Sequence, residues 1–325
     1  MTNKIIRWGI IGCGNVTEVK SGPAFQKAEG SQLIAVMRRN GELAIDYAIR
    51  HNVPKWYDDA ELLIKDPEVD AVYIATPPLT HKEYTLKAAR AGKPVYVEKP
   101  MAVSYKECVE MTEECEKLNV PLFVAYYRRA LPRFLKIQEL IDEKAIGDVR
   151  AVNIRFFQKP SQTDLNKTYN WRVDPAVSGA GYFFDLASHT LDLFQYYFGP
   201  IIKAEGSASN LTKLYEAEDT VSAEFVFENE VPGNGLWCFC AGENLDRCEI
   251  IGSDGKIVFS TFGDLPVVVK RGNEIEELNI PHPDHIQQPI IQLVTNELLG
   301  LGKCPSTGST GMQTSWVMDK ILGRI

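Results

Sequence analysis

The chain has 325 residues, 45% of them hydrophobic, and a net charge of −8. That length exceeds what one hydrophobic core normally serves, so two domains are expected, and the acidic balance excludes the concentrated basic face that nucleic-acid binding needs. No window approaches the roughly 18 apolar residues of a membrane span and no cleavable apolar leader opens the chain, so a cytoplasmic protein with neither a nucleic-acid nor a membrane partner is expected.

Residues 5–11 form an apolar run that leads through Gly9-x-x-Gly12-x-Gly14 into a helix-compatible stretch reaching about Lys27. A second strand, 33–37, is followed by helical segments near 43–51 and 59–64, and then by the apolar run 71–75. A helix over about 81–91, a strand 94–97, a helix 104–118 and a strand 122–126 complete this half. Strands apolar along their whole length, alternating with helices, predict a parallel sheet covered on both faces. The first domain, 1–126, is therefore expected to be a doubly wound α/β Rossmann domain.

The texture changes after Asp148. Short strands separated by turns are expected at 149–157, 204–209, 221–227, 235–241, 247–251, 256–260, 267–270 and 274–280, interrupted by an amphipathic helix that follows Gly179-Ala180-Gly181 and runs to about Phe198. Two helices, about 285–299 and 310–322, end the chain. Residues 127–325 are thus expected to form one α+β domain with an open, mostly antiparallel sheet. The seven cysteines are scattered, without the C-x-x-C pair of structural zinc sites, and no metal is expected. Cys238 and Cys240 alternate on a strand and should share one face.

The loop Gly12-x-Gly14-x-x-Thr17 follows the first strand and opens a helix, where free amides and the helix dipole attract a pyrophosphate. Gly12, Gly14, Asn15 and Val16 are the candidate contacts. Threonine at the third fingerprint position either pushes the helix from the sheet or offers a hydroxyl near the phosphates. The second strand ends in Arg38 and Arg39 and not in the carboxylate that reads an NAD ribose. Two guanidiniums suit a 2′-phosphate, so NADP(H) is favoured over NAD(H); Arg38 stacking on adenine is the alternative. Thr76, Pro77 and His81 follow the 71–75 strand, with His81 either lining the nicotinamide side or capping its helix, and Glu98 joins them as an expected cofactor contact.

Lys99, in Glu98-Lys99-Pro100, would face the same crevice as the glycine loop, because ligands bind beyond the carboxyl ends of parallel strands. Asp185 and His189 lie four residues apart and share a helix face. They are either a buried pair that satisfies itself or a histidine poised near neutral pH beside an anchoring carboxylate. Tyr127, Arg128, Trp171 and Arg172 are candidate substrate contacts, with aromatic surface for a sugar ring and charge for an anionic group; Tyr182 either joins them or belongs to the core.

Together, Gly9-x-x-Gly12-x-Gly14, Ala75-Thr76-Pro77, Glu98-Lys99-Pro100 and Gly179-x-Gly181-x-x-x-Asp185-x-x-x-His189 resemble the glucose-fructose oxidoreductase / inositol dehydrogenase / rhizopine-catabolism (Gfo/Idh/MocA) family over essentially the whole chain. The resemblance implies a lysine, Lys99, beside nicotinamide and substrate, with Asp185 and His189 completing a polar catalytic site. It also implies a cis Lys99-Pro100 bond and a homodimer or homotetramer built through the open sheet face. Family substrates range over sugars, polyols, nucleotide sugars, dihydrodiols and biliverdin. Thr17 and the Arg38-Arg39 pair depart from the family pattern and bear on loop geometry and cofactor choice. The expected activity is NAD(P)-dependent hydride transfer between nicotinamide and a secondary alcohol or ketone of a sugar, cyclic polyol or similar diol. A reductase of a non-sugar carbonyl or enone, a non-catalytic NAD(P)-binding regulator, and an enzyme that retains its cofactor between two substrates are the alternatives.

Overall fold

The computed structural model describes residues 4–325, and they divide into two compact units. One runs up to Leu131 and includes Pro283–Met312; the other comprises Pro132–His282 and Gln313–Ile325.

The first unit is built on six strands, β1 (Ile6–Ile11), β2 (Ser31–Met37), β3 (Lys55–Tyr57), β4 (Ala71–Ile74), β5 (Val95–Val97) and β6 (Leu122–Val124), in the spatial order β3-β2-β1-β4-β5-β6. Every pairing is parallel. β4 and β5 are buried along their whole length, which is why they read as unbroken apolar runs. The order reverses between β1 and β4, and a crevice opens beyond strand ends at such a reversal. Polar side chains start the crossover helices: Asn40 accepts from Leu43, Asp59 from Glu61 and Ser104 from Glu107.

The first crossover is two short helices, Asn15–Val19 and Gly22–Lys27, where the sequence suggested one. Pro23 in the opening turn of the second has no amide to donate, and Gly22 is pressed so close that a Cβ there would collide with the Thr17 carbonyl and the Tyr47 hydroxyl. β3 is a three-residue edge strand that the sequence showed only as Trp56-Tyr57 between helices.

The units are not the contiguous 1–126 and 127–325 expected from the sequence, because Pro283–Met312 returns to the first. Ser306 donates to the Val124 carbonyl at 2.7 Å, Thr307 bridges Phe123, and the Arg129 guanidinium donates to the Pro305 carbonyl at 2.8 Å. Gln287, at the start of the helix Gln288–Leu298, is wholly buried in this unit.

The second unit carries β7 (Val149–Phe157), β8 (Ile201–Ser209), β9 (Thr220–Phe227), β10 (Pro232–Cys238), β11 (Leu245–Gly252), β12 (Lys256–Phe259), β13 (Val267–Arg271) and β14 (Glu274–Leu278), ordered β14-β13-β12-β11-β7-β10-β9-β8. All pairs are antiparallel except β7 with β10. Alternation assigns the faces: Val221, Ala223, Phe225 and Phe227 of β9 are buried while Ser222 and Glu224 are exposed. Cys238 and Cys240 share the polar face, their sulfurs 3.6 Å apart. Helix Pro132–Asp142, with Phe134, Ile137 and Leu140 buried, was not anticipated. The expected helix before Phe198 begins as a π turn, Phe183–Ala187, and continues as Ser188–Phe198. Among the described residues no helix is long and apolar enough to cross a membrane.

The packing at Gly22 makes a direct test. Gly22→Ala should destabilise the protein by about 1–3 kcal/mol through overpacking, whereas Gly242→Ala, where nothing lies within 4 Å of an added Cβ, should leave urea-unfolding midpoints almost unmoved. Equal midpoints for both variants would contradict the close approach.

Candidate active site

β1 runs into Gly12-Cys13-Gly14. Gly12 has φ +93°, and a Cβ there would stand 2.9 Å from the Thr76 amide nitrogen, so glycine lets the two loops touch. The Gly12 and Cys13 amides donate to the Met37 carbonyl at 2.9 and 3.1 Å, tying the loop to the end of β2. An added Cβ on Gly14 would have its nearest neighbour 3.8 Å away, which leaves the backbone open to close approach by a phosphate. Asn15 is exposed and Val16 half-buried at the start of the next helix.

Thr17 offers no hydroxyl to a ligand. It is wholly buried, donating to the Gly14 carbonyl at 2.8 Å and accepting from the Gly14 amide at 3.0 Å; the third fingerprint position closes the loop on itself. Its own carbonyl accepts from the Tyr47 hydroxyl at 2.8 Å. Arg38 and Arg39, which follow β2, are exposed. Burial pushes the Cys13 thiol up to about 11 although the Arg38 charge pulls it down, so the thiol is protonated at neutral pH.

β4 ends at the Thr76-Pro77 turn, where the Thr80 hydroxyl donates to Thr76 Oγ1 at 2.8 Å. His81 has no exposed surface, and this corrects its assignment as a cofactor contact. Its Nε2 lies 2.7 Å from the Thr76 carbonyl and its Nδ1 lies 3.1 and 3.3 Å from those of Pro100 and Met101, making it a strut between two loops. Burial lowers its pKa, while the three carbonyls and the Glu98 charge oppose that shift.

β5 leads into Glu98, which is only 6% exposed and faces inward, away from the role of cofactor contact expected for it. Oε1 accepts from the Tyr73 hydroxyl at 2.5 Å and from Gln287 Nε2 at 2.7 Å, and Oε2 accepts from the Lys99 amide at 3.2 Å. Lys99 is half-buried and its bond to Pro100 is cis. Tyr127 and Arg128 are mostly buried, with the guanidinium 5.0 Å over the Tyr127 ring.

In the second unit, Trp171 and Arg172 occupy a 3₁₀ turn, with the Arg172 guanidinium 4.5 Å over the indole. Arg172 pairs with Asp185 at 3.6 Å. Asp185 stands in the π turn, a geometry frequent at functional sites, and His189 follows one turn later, buried, with the Phe262 ring edge-on at 5.6 Å. Tyr182 is tethered: its hydroxyl donates to Asp164 at 2.9 Å and accepts from Asn170 at 2.9 Å, and burial pushes it up to about 12. It anchors the segment that leads to Trp171.

Residues 6–126 match the model of the oxidoreductase family with an NAD-binding Rossmann fold, and residues 134–258 match the GFO/IDH/MocA C-terminal domain. The chain is 42% identical over 319 residues to oxidoreductase P35 of Formosa agariphila, covering 98% of each protein. The chain belongs to the Gfo/Idh/MocA oxidoreductase family. It is 32% identical over 151 residues, 46% of each protein, to trans-1,2-dihydrobenzene-1,2-diol dehydrogenase of Xenopus tropicalis. Levoglucosan dehydrogenase in complex with NADH and levoglucosan shares the fold at TM-score 0.86 and 22% identity, over 99% of this chain and 97% of that one. An oxidoreductase of Thermotoga maritima does so at TM-score 0.85 and 25% identity, over 98% and 95%. The protein is thus an NAD(P)-binding oxidoreductase of the Gfo/Idh/MocA family.

Sequence reasoning missed residues that pack behind the candidate residues of each unit. Tyr73 and Gln287 on Glu98 carry no local signal, and Phe262 against His189 comes from a turn whose amides, Thr261 to Gly263, donate to Asp246. Asp164 alone was readable, since Ser161-x-x-Asp164 forms a capping box.

The sign of the His81 shift sets a pH test. An unfolded histidine binds its proton near pH 6.5 and the folded one binds it lower, so below about 6.5 the unfolded chain holds more protons and stability falls, levelling off once the folded ring protonates. The loss of unfolding free energy between pH 7.5 and 5.5 should be smaller in His81→Gln, by at most ~1.4 kcal/mol per pH unit. Identical urea-unfolding slopes would remove His81 as the origin.

Proposed function

We propose that this enzyme interconverts a secondary alcohol and a ketone on a sugar, cyclic polyol or related diol, with NADP(H) preferred over NAD(H). The observation that carries the reading is Lys99, half-buried two residues beyond β5, a strand of the same parallel sheet whose β1 feeds the glycine loop. The open backbone at Gly14 and the exposed Arg38 and Arg39 fit a dinucleotide, with Gly12, Gly14, Asn15 and Val16 along the pyrophosphate and the two guanidiniums toward a 2′-phosphate. Thr76 and Pro77 border the same strand ends. Relatives named for levoglucosan and for a dihydrodiol support a ring-borne secondary alcohol as the substrate class.

The bound nicotinamide supplies the hydride acceptor. His189 takes the proton of the substrate hydroxyl, Lys99 polarises that oxygen, and Asp185 holds neighbouring hydroxyls or orients the imidazole. Trp171 and Arg172 contact the sugar ring and any anionic group, and Tyr127 and Arg128 are further substrate contacts. A homodimer or homotetramer forms through the face of the second sheet that carries Leu236 and Ile251, 38% and 37% exposed.

Parallel fluorescence titrations with NADPH and NADH should give tighter NADPH binding, and replacing both Arg38 and Arg39 by alanine should weaken NADPH on the order of 10–100-fold while sparing NADH; equal affinities in the parent would sink the NADP preference. With levoglucosan, myo-inositol and trans-1,2-dihydrobenzene-1,2-diol as the first panel, Lys99→Ala should cut kcat by roughly 10²–10⁴-fold with cofactor affinity retained. Undiminished turnover would remove Lys99 from the chemistry.

A further inference from the structure

Behind Lys99 lies a buried polar chain that ends on a residue almost two hundred positions away in sequence. Gln287 is 0% exposed, and its side-chain amide works in both directions: Nε2 donates to Glu98 Oε1 at 2.7 Å and Oε1 accepts from the Tyr96 hydroxyl at 2.9 Å. The Tyr73 hydroxyl donates to the same Glu98 oxygen at 2.5 Å and stands 3.1 Å from Ser21 Oγ. Tyr73 and Tyr96 stack at 5.0 Å, so the two phenols that bracket the carboxylate and the amide hold each other in place. With two donors on Oε1, the carboxylate plane is fixed and Oε2 is turned onto the Lys99 amide.

We propose that Gln287 is a positioning residue for Lys99, acting through Glu98. This rests on the reading of Lys99 as the group that polarises the substrate oxygen. The amide nitrogen of Lys99 is the root of its side chain, and a shift of about 1 Å in a reacting group costs on the order of 100-fold in rate. The donors that meet Glu98 here, a phenol, a carboxamide and a backbone amide, are all neutral, so they orient the carboxylate without placing a cation on it. Gln287 is itself fixed from its backbone, its amide donating to the Lys20 carbonyl at 3.1 Å while its carbonyl accepts from Ile291 at 3.0 Å. The return of Pro283–Met312 to the first unit thereby gives the Glu98-Lys99-Pro100 segment a second anchor beside the His81 strut.

The test uses Gln287→Met, of similar size but without donor or acceptor, and Gln287→Glu, which donates to Glu98 only while protonated. Amide hydrogen exchange at Lys99 in the cofactor-free protein is read first. In Gln287→Met it should quicken by roughly tenfold or more relative to the core amides of β1 and β4, with NADPH affinity within about threefold of the parent and kcat, on whichever panel alcohol the parent oxidises, reduced about 10–100-fold at nearly constant KM. Gln287→Glu should match the parent at low pH and lose both Lys99 protection and kcat as pH rises, because two carboxylates on one hydrogen bond cannot both ionise without repulsion; the parent lacks that step. Because this variant retains a donor toward Glu98 at low pH, it decides the matter even if Gln287→Met fails to fold. Parent-like Lys99 exchange in Gln287→Met, or a Gln287→Glu profile without the new pH step, overturns the proposal. Full activity of Lys99→Ala alongside a Lys99 amide that still responds to Gln287 would overturn the reading of the lysine and leave the anchoring intact.

Discussion

Because all six strands of the first sheet run parallel, their carboxyl ends lie along one edge, and every loop there must satisfy its backbone without the help of a returning strand. β1 leads into Gly12, β2 into Arg38, β4 through Ala75 into Thr76, β5 into Glu98 and β6 through Ala125 into Tyr126. Polar groups buried behind these loops are costly unless bonded, and the structure meets the cost by making the loops hold one another. Met37 accepts from the glycine loop, Gly12 lies against Thr76, His81 joins Thr76 to Pro100, and Glu98 joins Lys99 to Tyr73 and Gln287. A change in one loop is therefore felt in the next. This interdependence is the physical content of preorganisation at the crevice.

What the sequence showed plainly was whatever depends on local periodicity. Ala71-Val72-Tyr73-Ile74 reads as a strand because both of its faces are covered, and β9 reads as one because its residues alternate. Asp185 and His189 stood out because polar residues in an apolar helix need a reason. The missing parts depend on distant partners. Helix Pro132–Asp142 buries Phe134, Ile137 and Leu140 beside a buried Arg133 whose guanidinium meets Ser260 and the Leu265 carbonyl; a charge on the core side masks the apolar stripe. The break at Ser21 requires knowing that Tyr47 crosses over the first helix, and the return of Pro283–Met312 requires knowing that Glu98 is buried and in want of a donor. Parallel pairing of β10 with β7 was equally out of reach, since alternation fixes a face and not a direction.

The same contrast explains the fate of the site residues. Those drawn from backbone logic, Gly12 and Gly14, lie in a loop where Gly12 takes a positive φ and Gly14 leaves open space. Side chains named for their chemistry divided: Arg38 and Arg39 are exposed, whereas His81 and Glu98 are buried struts. A motif specifies which residue types a segment needs, but a titratable group near a site is as readily used to hold the site as to act in it. Exposure separates these uses, and exposure is a tertiary property.

In the second unit the same division of labour sets two strengths of contact side by side. Phe262 is held firmly against His189, because Asp246 accepts from three successive amides of its turn and Thr190 bonds Thr261 at 3.0 Å in the core. The ion pair of Asp185 with Arg172 is weaker in kind: Arg172 is 46% exposed and 3.6 Å away, and ion pairs of that kind contribute between about 0 and 1 kcal/mol. The guanidinium also keeps its stacking on Trp171 when the carboxylate turns elsewhere. A carboxylate clamped by several buried amides, as Asp246 is, has no capacity left for a ligand. The exposed Arg172 contact therefore contributes less to holding Asp185 than the three amides contribute to holding Asp246.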